Sequence, residues 1–476
     1  MAEGAHFETA PQDRIPFRQK VVYGFGAMVN NTLADAAGRM MIVLNLGLGM
    51  NPALVGLLGA IPRLTDALTD PLVGYASDKT RTRWGRRRPY IFFGAISVAI
   101  AFTLLWQLPP GKSEYWYFWY FLAGSLLFYL AYTIFATPWV ALGYELTPDY
   151  HERTRLMGVQ NFMGTIAYMI TPYFLAIMYL PVFGDVVTGA GYLAMIIAVA
   201  VIALGILPAI FLRERFKDMA GGDEARGAGM KALAKDFLRG FGKTLSFKPF
   251  LKLCIATFLV FNGFILVAAF QSYVIIYYVF GGDQAAGSVF VGHSGLVQAF
   301  SGLIVVFIVT RLATKIGKQR AFYVSTGISM VGYALKWFIY TPENPWSVLI
   351  PAPLIAFGLA GLFTLMPSMV ADVVDADELR TEERREGMYG SIYWWVVKLG
   401  QSAALFVGGI LLVWTGFDVE LGGNQSAEAI RLMRLCDAFV PAAASAIAIW
   451  SIATYSITEE KAHETRMELE ERRGVV

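Results

Sequence analysis

Twelve apolar runs, separated by short polar segments, recur along the 476-residue chain: 21–47, 52–77, 89–109, 115–145, 157–182, 189–212, 248–281, 287–312, 320–340, 347–374, 388–415 and 434–457. About 20 apolar residues in a helix cross a hydrocarbon core. Lipid leaves only helices and closed barrels as spanning structures, because every backbone polar group must be satisfied internally. These lengths fit helices, so the pattern predicts an all-α membrane protein with twelve transmembrane helices. Runs one, four, seven and ten are longer than a span needs and predict tilted or protruding helices. Residues 1–20, with Asp13, Arg14, Arg18 and Lys20, lack the apolar core of a secretory signal, so the first helix is expected to direct membrane insertion.

The polar segments set the organisation. From Arg213 to Lys243 a charged stretch interrupts the apolar rhythm, and its run Ala220-Gly-Gly-Asp-Glu-Ala-Arg-Gly-Ala-Gly229 suits a flexible linker. Beyond it Met230, Leu233, Phe237, Leu238 and Phe241 recur at helical spacing, with Lys231, Lys235 and Arg239 between them. That spacing predicts a basic amphipathic helix on the cytoplasmic membrane surface. Basic loops alternate with loops poor in Lys and Arg. Lys79, Arg81, Arg83, Arg86, Arg87 and Arg88 follow run two, and Arg311, Lys315, Lys318 and Arg320 follow run eight, whereas 46–52, 181–190 and 281–287 carry none. By the positive-inside rule both termini are expected in the cytoplasm.

Two loop patterns occur twice. Arg83-Trp-Gly85-Arg-Arg-Arg88 has a weaker relative in Lys315-Ile-Gly317-Lys318, and Glu152-Arg-Thr-Arg-Leu-Met-Gly158 has one in Glu383-Arg-Arg-Glu-Gly387, at nearly the same separation. Order and spacing together predict two similar six-helix halves. The expected layout is an N-terminal cytoplasmic segment 1–20, a six-helix bundle 21–213, a linker with the amphipathic helix 214–246, a second bundle 247–457 and a tail 458–476, solvated or disordered.

Composition agrees with the pattern: 56% of residues are hydrophobic and 16% charged. The formal net charge of +3 is spent on topology, so nucleic acid is not an expected partner. Cys254 and Cys436 both fall within apolar runs and imply packing, not a disulfide framework. His6, His151, His293 and His463 show no metal-ligand spacing. Neither a phosphate-cradling loop nor a nucleophile elbow appears, so an ATP-driven pump and a hydrolase are not expected.

Against this apolar background the segment Arg63-Leu-Thr-Asp66-Ala-Leu-Thr-Asp70-Pro71 stands out. Ionisable groups at membrane depth cost several kcal/mol and are read by default as functional. Spacing i, i+4 puts Asp66 and Asp70 on one helix face. Like charges that close do not both ionise freely without a cation or proton between them, so the pair suits capture of H⁺, Na⁺ or Li⁺. The plainer alternative is that one carboxylate pairs with Arg63 while the other faces water.

The segment Asp66-Ala-Leu-Thr-Asp70-Pro-Leu-Val-Gly74, followed by Asp78-Lys-Thr-Arg-Thr-Arg83-Trp-Gly85-Arg-Arg-Arg-Pro89-Tyr90, resembles the signature of the glycoside-pentoside-hexuronide:cation symporters within the major facilitator superfamily. Tyr23-Gly-Phe-Gly26, Thr137-Pro138-Trp139-Val-Ala-Leu142, and Ala371-Asp372-Val-Val-Asp375 through Val396-Val-Lys398-Leu-Gly400 agree in order and position. The resemblance implies the major facilitator fold and transport of a small solute with a cation. It makes Asp66 and Asp70 the cation-binding carboxylates, with Thr133 and Lys398 beside them. Ala136 stands where the melibiose permease of that family has a third aspartate. Fewer hard oxygen ligands suit sodium less well, which favours a proton, with Na⁺ at Asp66 and Asp70 as the other candidate.

Asn31 aligns with a sugar-binding aspartate of the melibiose permease, and Asn161 with a sugar-binding arginine, so a melibiose-type galactoside is not the expected substrate. Asp35 lies one turn after Asn31 and one turn before Arg39. Either Asp35 takes over substrate binding, or the two form a structural ion pair. Trp139 and Trp394 offer stacking faces for a sugar ring, and Lys398, set in an apolar run, is also expected at the substrate. Arg83, Arg86, Arg87 and Arg153 in one half and Asp372, Asp375 and Glu383 in the other are expected to form a cytoplasmic gate of opposite charges. The expectation is therefore a symporter of a sugar or glycoside in the bacterial inner membrane, functional as a monomer. A carrier of a less polar, lipid- or steroid-like solute is the rival on the same fold, and a membrane-embedded enzyme a remoter one.

Overall fold

The computed structural model describes residues 14–147, 150–214, 242, 244–382 and 386–472. Most of the linker, including the expected amphipathic helix, lies outside the described residues. The long helices are α1 (Phe17–Met40), α2 (Pro52–Lys79), α3 (Arg88–Leu105), α4 (Glu114–Glu145), α5 (Tyr150–Ile170), α6 (Val186–Phe211), α7 (Lys248–Tyr273), α8 (Gln284–Ile316), α9 (Lys318–Ile339), α10 (Ala352–Thr381), α11 (Glu386–Trp414), α12 (Ala427–Ala453) and α13 (Glu459–Arg472). Several begin where a short polar side chain satisfies a first-turn N–H. Ser113 accepts from Trp116 N, Asp185 from Val187 N and Thr188 N, Asp283 from Ala286 N, and Ser426 from Ala429 N.

Among the described residues, nine helices are long and apolar enough to cross a membrane. The three long helices of the bundles outside that set are α1, α2 and α9, at 24, 28 and 22 residues. Polar chemistry lowers their hydropathy: Asn30, Asn31, Asp35 and Arg39 in α1, Arg63, Asp66 and Asp70 in α2, and Lys336 in α9.

The chain divides into two compact units. In the first, α1 packs on α5 and α6, and α3 on α4 and α6. In the second, α7 packs on α11 and α12, and α9 on α10 and α12. The pairings correspond helix for helix, so the duplication read from two loops extends to the packing inside each unit. Small residues permit the close approaches. A Cβ at Gly94 of α3 would lie 2.8 Å from the Phe135 backbone of α4, and Cβ atoms at Gly358 and Gly361 of α10 would lie 2.6 and 2.5 Å from the Ser329 and Ser325 hydroxyls of α9.

The repeated turn glycines are equivalent as well. Gly85 has φ +115° and Gly317 φ +84°, a region open to glycine. Over each sits a carboxylate from just beyond the sixth long helix of its bundle: a Cβ at Gly85 would meet Glu214, and one at Gly317 would meet Glu459, both at 2.6 Å.

Two boundaries differ from expectation. Residues 51–63, the first turns of α2, group with the second unit. There Gly56 and Gly59 lack the side chains that would collide with Leu405 of α11, and Arg63 Nη1 donates to Gln401 Oε1 at 2.8 Å. The tail is not simply solvated: α13 lies against α10, with Thr465 and Leu469 buried and Arg472 Nη1 donating to Leu379 O at 3.4 Å.

Candidate cation and substrate site

Helix α2 carries Asp66 and Asp70 one turn apart. The Asp66 side chain lies outside the described residues. Asp70 Oδ1 accepts from two hydroxyls of α4, Thr133 Oγ1 at 3.1 Å and Thr137 Oγ1 at 3.4 Å. Thr69 Oγ1 is 3.5 Å from Thr133 Oγ1, and Thr133 is buried at 1% exposure. A carboxylate that receives hydroxyl donors is stabilised in its charged form, and the oxygens of those hydroxyls remain able to face a cation. The aligned position of a third acid, Ala136, is buried and supplies no oxygen. Thr133 and Thr137 lie one turn apart on α4, both bonded to the same carboxylate oxygen.

Lys398 belongs to the second unit, half-buried on α11. One turn further along α11, Gln401 accepts from Arg63. Arg63 is thus held by an amide of its own unit as well as standing next to the paired acids in sequence.

The candidate substrate residues differ in what surrounds them. Asn31 Oδ1 accepts from Asn30 Nδ2 at 3.2 Å, and Asn30 Oδ1 accepts from Tyr132 OH at 2.7 Å, a polar cluster shared by α1 and α4. Asn161 is exposed on α5, and Trp394 is 53% exposed on α11, stacked on Phe363 at 6.1 Å. Trp139 is different. Its indole is 2% exposed, stacks on Tyr23 at 5.1 Å and donates to Tyr23 O at 3.2 Å. The face expected to receive a sugar is covered by Tyr23, because Gly26 lets α1 approach α4 closely. Asp35 Oδ2 accepts from Arg39 Nε at 2.5 Å and from Thr171 Oγ1, so the ion-pair alternative is present in the structure.

Among the expected gate residues, Arg86, Arg87 and Asp372 have partners inside their own units. Glu214 accepts from the backbone N–H groups of Arg86, Arg87 and Arg88 at 2.8, 2.8 and 2.9 Å, at the positive end of α3. Arg83 is exposed and Arg87 buried. Asp372 pairs with Lys318 at 2.6 Å. Asp375 is half-buried on α10. Glu383 and the Arg153 side chain lie outside the described residues.

Sequence reasoning passed over two buried acids. Glu152, 2% exposed, pairs with Lys20 at 2.6 Å and with Arg155 at 3.1 Å, and accepts from Ile15 N at 3.0 Å. Asp437, 1% exposed, pairs with Lys336 at 2.8 Å. Lys336 and Asp437 each stand inside an apolar run, the same signal that exposed Asp66 and Asp70.

Comparison with known proteins fits this architecture. An uncharacterized symporter of Synechocystis sp. is 27% identical over 90% of this chain and 92% of its own length. A glucuronide carrier protein homolog of Escherichia coli is 24% identical over 97% of each chain. Among solved structures, a bacterial homolog of the human lysosomal transporter Spinster superposes with a TM-score of 0.64 at 15% identity, covering 95% of this chain and 98% of the other, a likeness of fold. The family described as MFS/sugar transport proteins matches residues 22–459. An all-helical chain with two internally similar units, matched across nearly its whole length, belongs to that family of major facilitator sugar transporters.

Proposed function

We propose that this protein is a proton-coupled symporter that accumulates a sugar or glycoside by alternating access, with Asp66 and Asp70 as its proton-carrying pair. The observation that carries the reading is the Asp70 carboxylate bonded by Thr133 and Thr137. Two acids one turn apart bind a proton more readily than either alone, because sharing it relieves their repulsion. Sodium asks for several hard oxygens, and Ala136 withholds one. A gradient of 100 mV supplies about 2.3 kcal/mol per charge, enough for roughly fiftyfold accumulation of a neutral solute.

Lys398, on the resemblance, joins the cation site and contacts the solute. Asn31, Asn161 and Trp394 are the polar and stacking groups proposed to bind it, and Asp35 is held by Arg39 in a positioning role. The name of the E. coli relative puts glucuronides in the first panel of solutes to be tried. The protein is proposed to sit in a bacterial inner membrane as a functional monomer, with both termini in the cytoplasm.

Counterflow in proteoliposomes, with a panel of labelled glycosides, pentosides and hexuronides, tests the substrate class. A pH gradient in sodium-free buffer should then drive uptake of whichever solute exchanges. Strict dependence on sodium would show that the coupling ion is Na⁺, and exchange of lipid-like solutes alone would overturn the sugar reading.

A further inference from the structure

Four helices of the second unit, α7, α8, α9 and α12, meet around a pair of opposite charges remote in sequence from the acids of α2. Lys336 of α9 and Asp437 of α12 are each 1% exposed at the side chain, with Nζ 2.8 Å from Oδ1. Gln271 of α7 places Oε1 3.2 Å from the same Nζ, and its Nε2 donates to Ser294 Oγ of α8 at 2.7 Å. The ammonium also lies 5.8 Å from the Tyr340 ring.

Just beyond Gln271, α7 changes its winding. Val274–Val279 is a π-helical turn, a rare form that appears mostly as single-turn insertions, frequently at functional sites. Within that turn, Tyr278 lies under the Arg434 guanidinium at 3.9 Å, and Arg434 Nη2 donates to Trp337 O at 2.6 Å. The altered turn is therefore tied to α9 by a contact just before it, through Gln271, and to α12 by one within it, through Tyr278.

A buried ion pair adds little net stability, because desolvating two charges offsets their attraction, whereas deleting one partner leaves a charge that nothing compensates. What such a pair supplies is definition. Lys336 and Asp437 meet only at one rotation and register of α9 against α12, and the remaining capacity of the ammonium then fixes the Gln271 amide.

We propose that Lys336 and Asp437 are positioning residues for α7: as a net-neutral pair they fix α9 against α12 and, through Gln271, hold the start of the π-helical turn in place. The pair and the amide then have separable effects. Losing one charge should loosen α9, α12 and α7 together, and losing the amide should loosen α7 alone.

Hydrogen–deuterium exchange on the full-length protein in nanodiscs tests this without any solute, so its outcome is independent of the proposed function. Gln271→Leu is expected to raise exchange across 272–283 several-fold while α9 and α12 stay at the wild-type rate. Lys336→Met and Asp437→Leu singly should raise exchange on all three helices and lower the yield of monodisperse protein. The double variant K336M/D437L should return α9 and α12 to the wild-type rate, leaving α7 as labile as in Gln271→Leu. Wild-type exchange on α7 in Gln271→Leu would overturn the proposal, and so would a double variant as labile on α9 and α12 as the singles.

Discussion

Asp70 shows at the scale of one residue how a carboxylate inside a helical bundle is held. Its carboxylate is held by Thr133 and Thr137 from α4, and hydrogen bonds to a charged group contribute about 1.5–3 kcal/mol each. Asp70→Asn is expected to abolish uphill accumulation while exchange persists, since exchange needs the solute site but not the gradient. Thr133→Ala should weaken coupling-ion binding about tenfold. Uphill accumulation at the wild-type level in Asp70→Asn would remove Asp70 from the cation site. Glu152 makes the opposite kind of contact, at an end of α5 outside the apolar span. Burial alone would raise its pKa, but the Lys20 ammonium, the Ile15 N–H and the Arg155 guanidinium outweigh burial and hold it below the ordinary value. A lowered folded-state pKa stabilises the fold above the unfolded value, and the benefit is lost as pH falls through the folded one. Melting of wild type and Glu152→Gln should therefore differ at neutral pH and converge under acid, below the ordinary glutamate range. A difference that persisted undiminished in acid would show that packing, not charge, makes the contact.

At the scale of the helix, small residues decide which elements touch. Gly26 on α1 faces the indole of Trp139 on α4 with no space for a Cβ, and Trp139 answers with a bond to the Tyr23 carbonyl. Gly26→Ala should force that ring away and cost about 1–3 kcal/mol of stability, the usual cost of overpacking. Adding Trp139→Phe should recover part of the loss by making room, which thermal melting in detergent would report. An unchanged melting temperature in Gly26→Ala would mean that α1 and α4 separate without penalty. Nine of the spans, among the described residues, were legible from apolar length. The partners of each span were not, because one glycine looks like another until the helix it admits is known, as Gly56 of α2 against Leu405 of α11 illustrates.

For the whole molecule, the two units repeat one packing scheme, down to a glutamate seated over a glycine turn in each. Alternating basic loops argue that both termini share one side of the membrane. In a bacterial host, a fluorescent protein fused after Val476 should fluoresce, and alkaline phosphatase inserted at Gly111, between α3 and α4, should be active. Inactive phosphatase with a dark C-terminal fusion would invert the topology.

By itself the sequence determined the class of the protein, its apolar runs, its duplication and the spacing of the Asp66 and Asp70 pair, because each of these is written in local runs, intervals and charges. Tertiary structure decided what each polar group meets. Trp139 looked available for a sugar and is covered by Tyr23, Asp35 turned out to be held by Arg39 and Thr171, and Glu214, Glu152 and the Lys336–Asp437 pair acquired roles only through neighbours distant in the chain. The physical reason is that a charge at membrane depth announces its cost wherever it stands in the sequence, whereas the partner that offsets the cost is selected by helix packing across many residues.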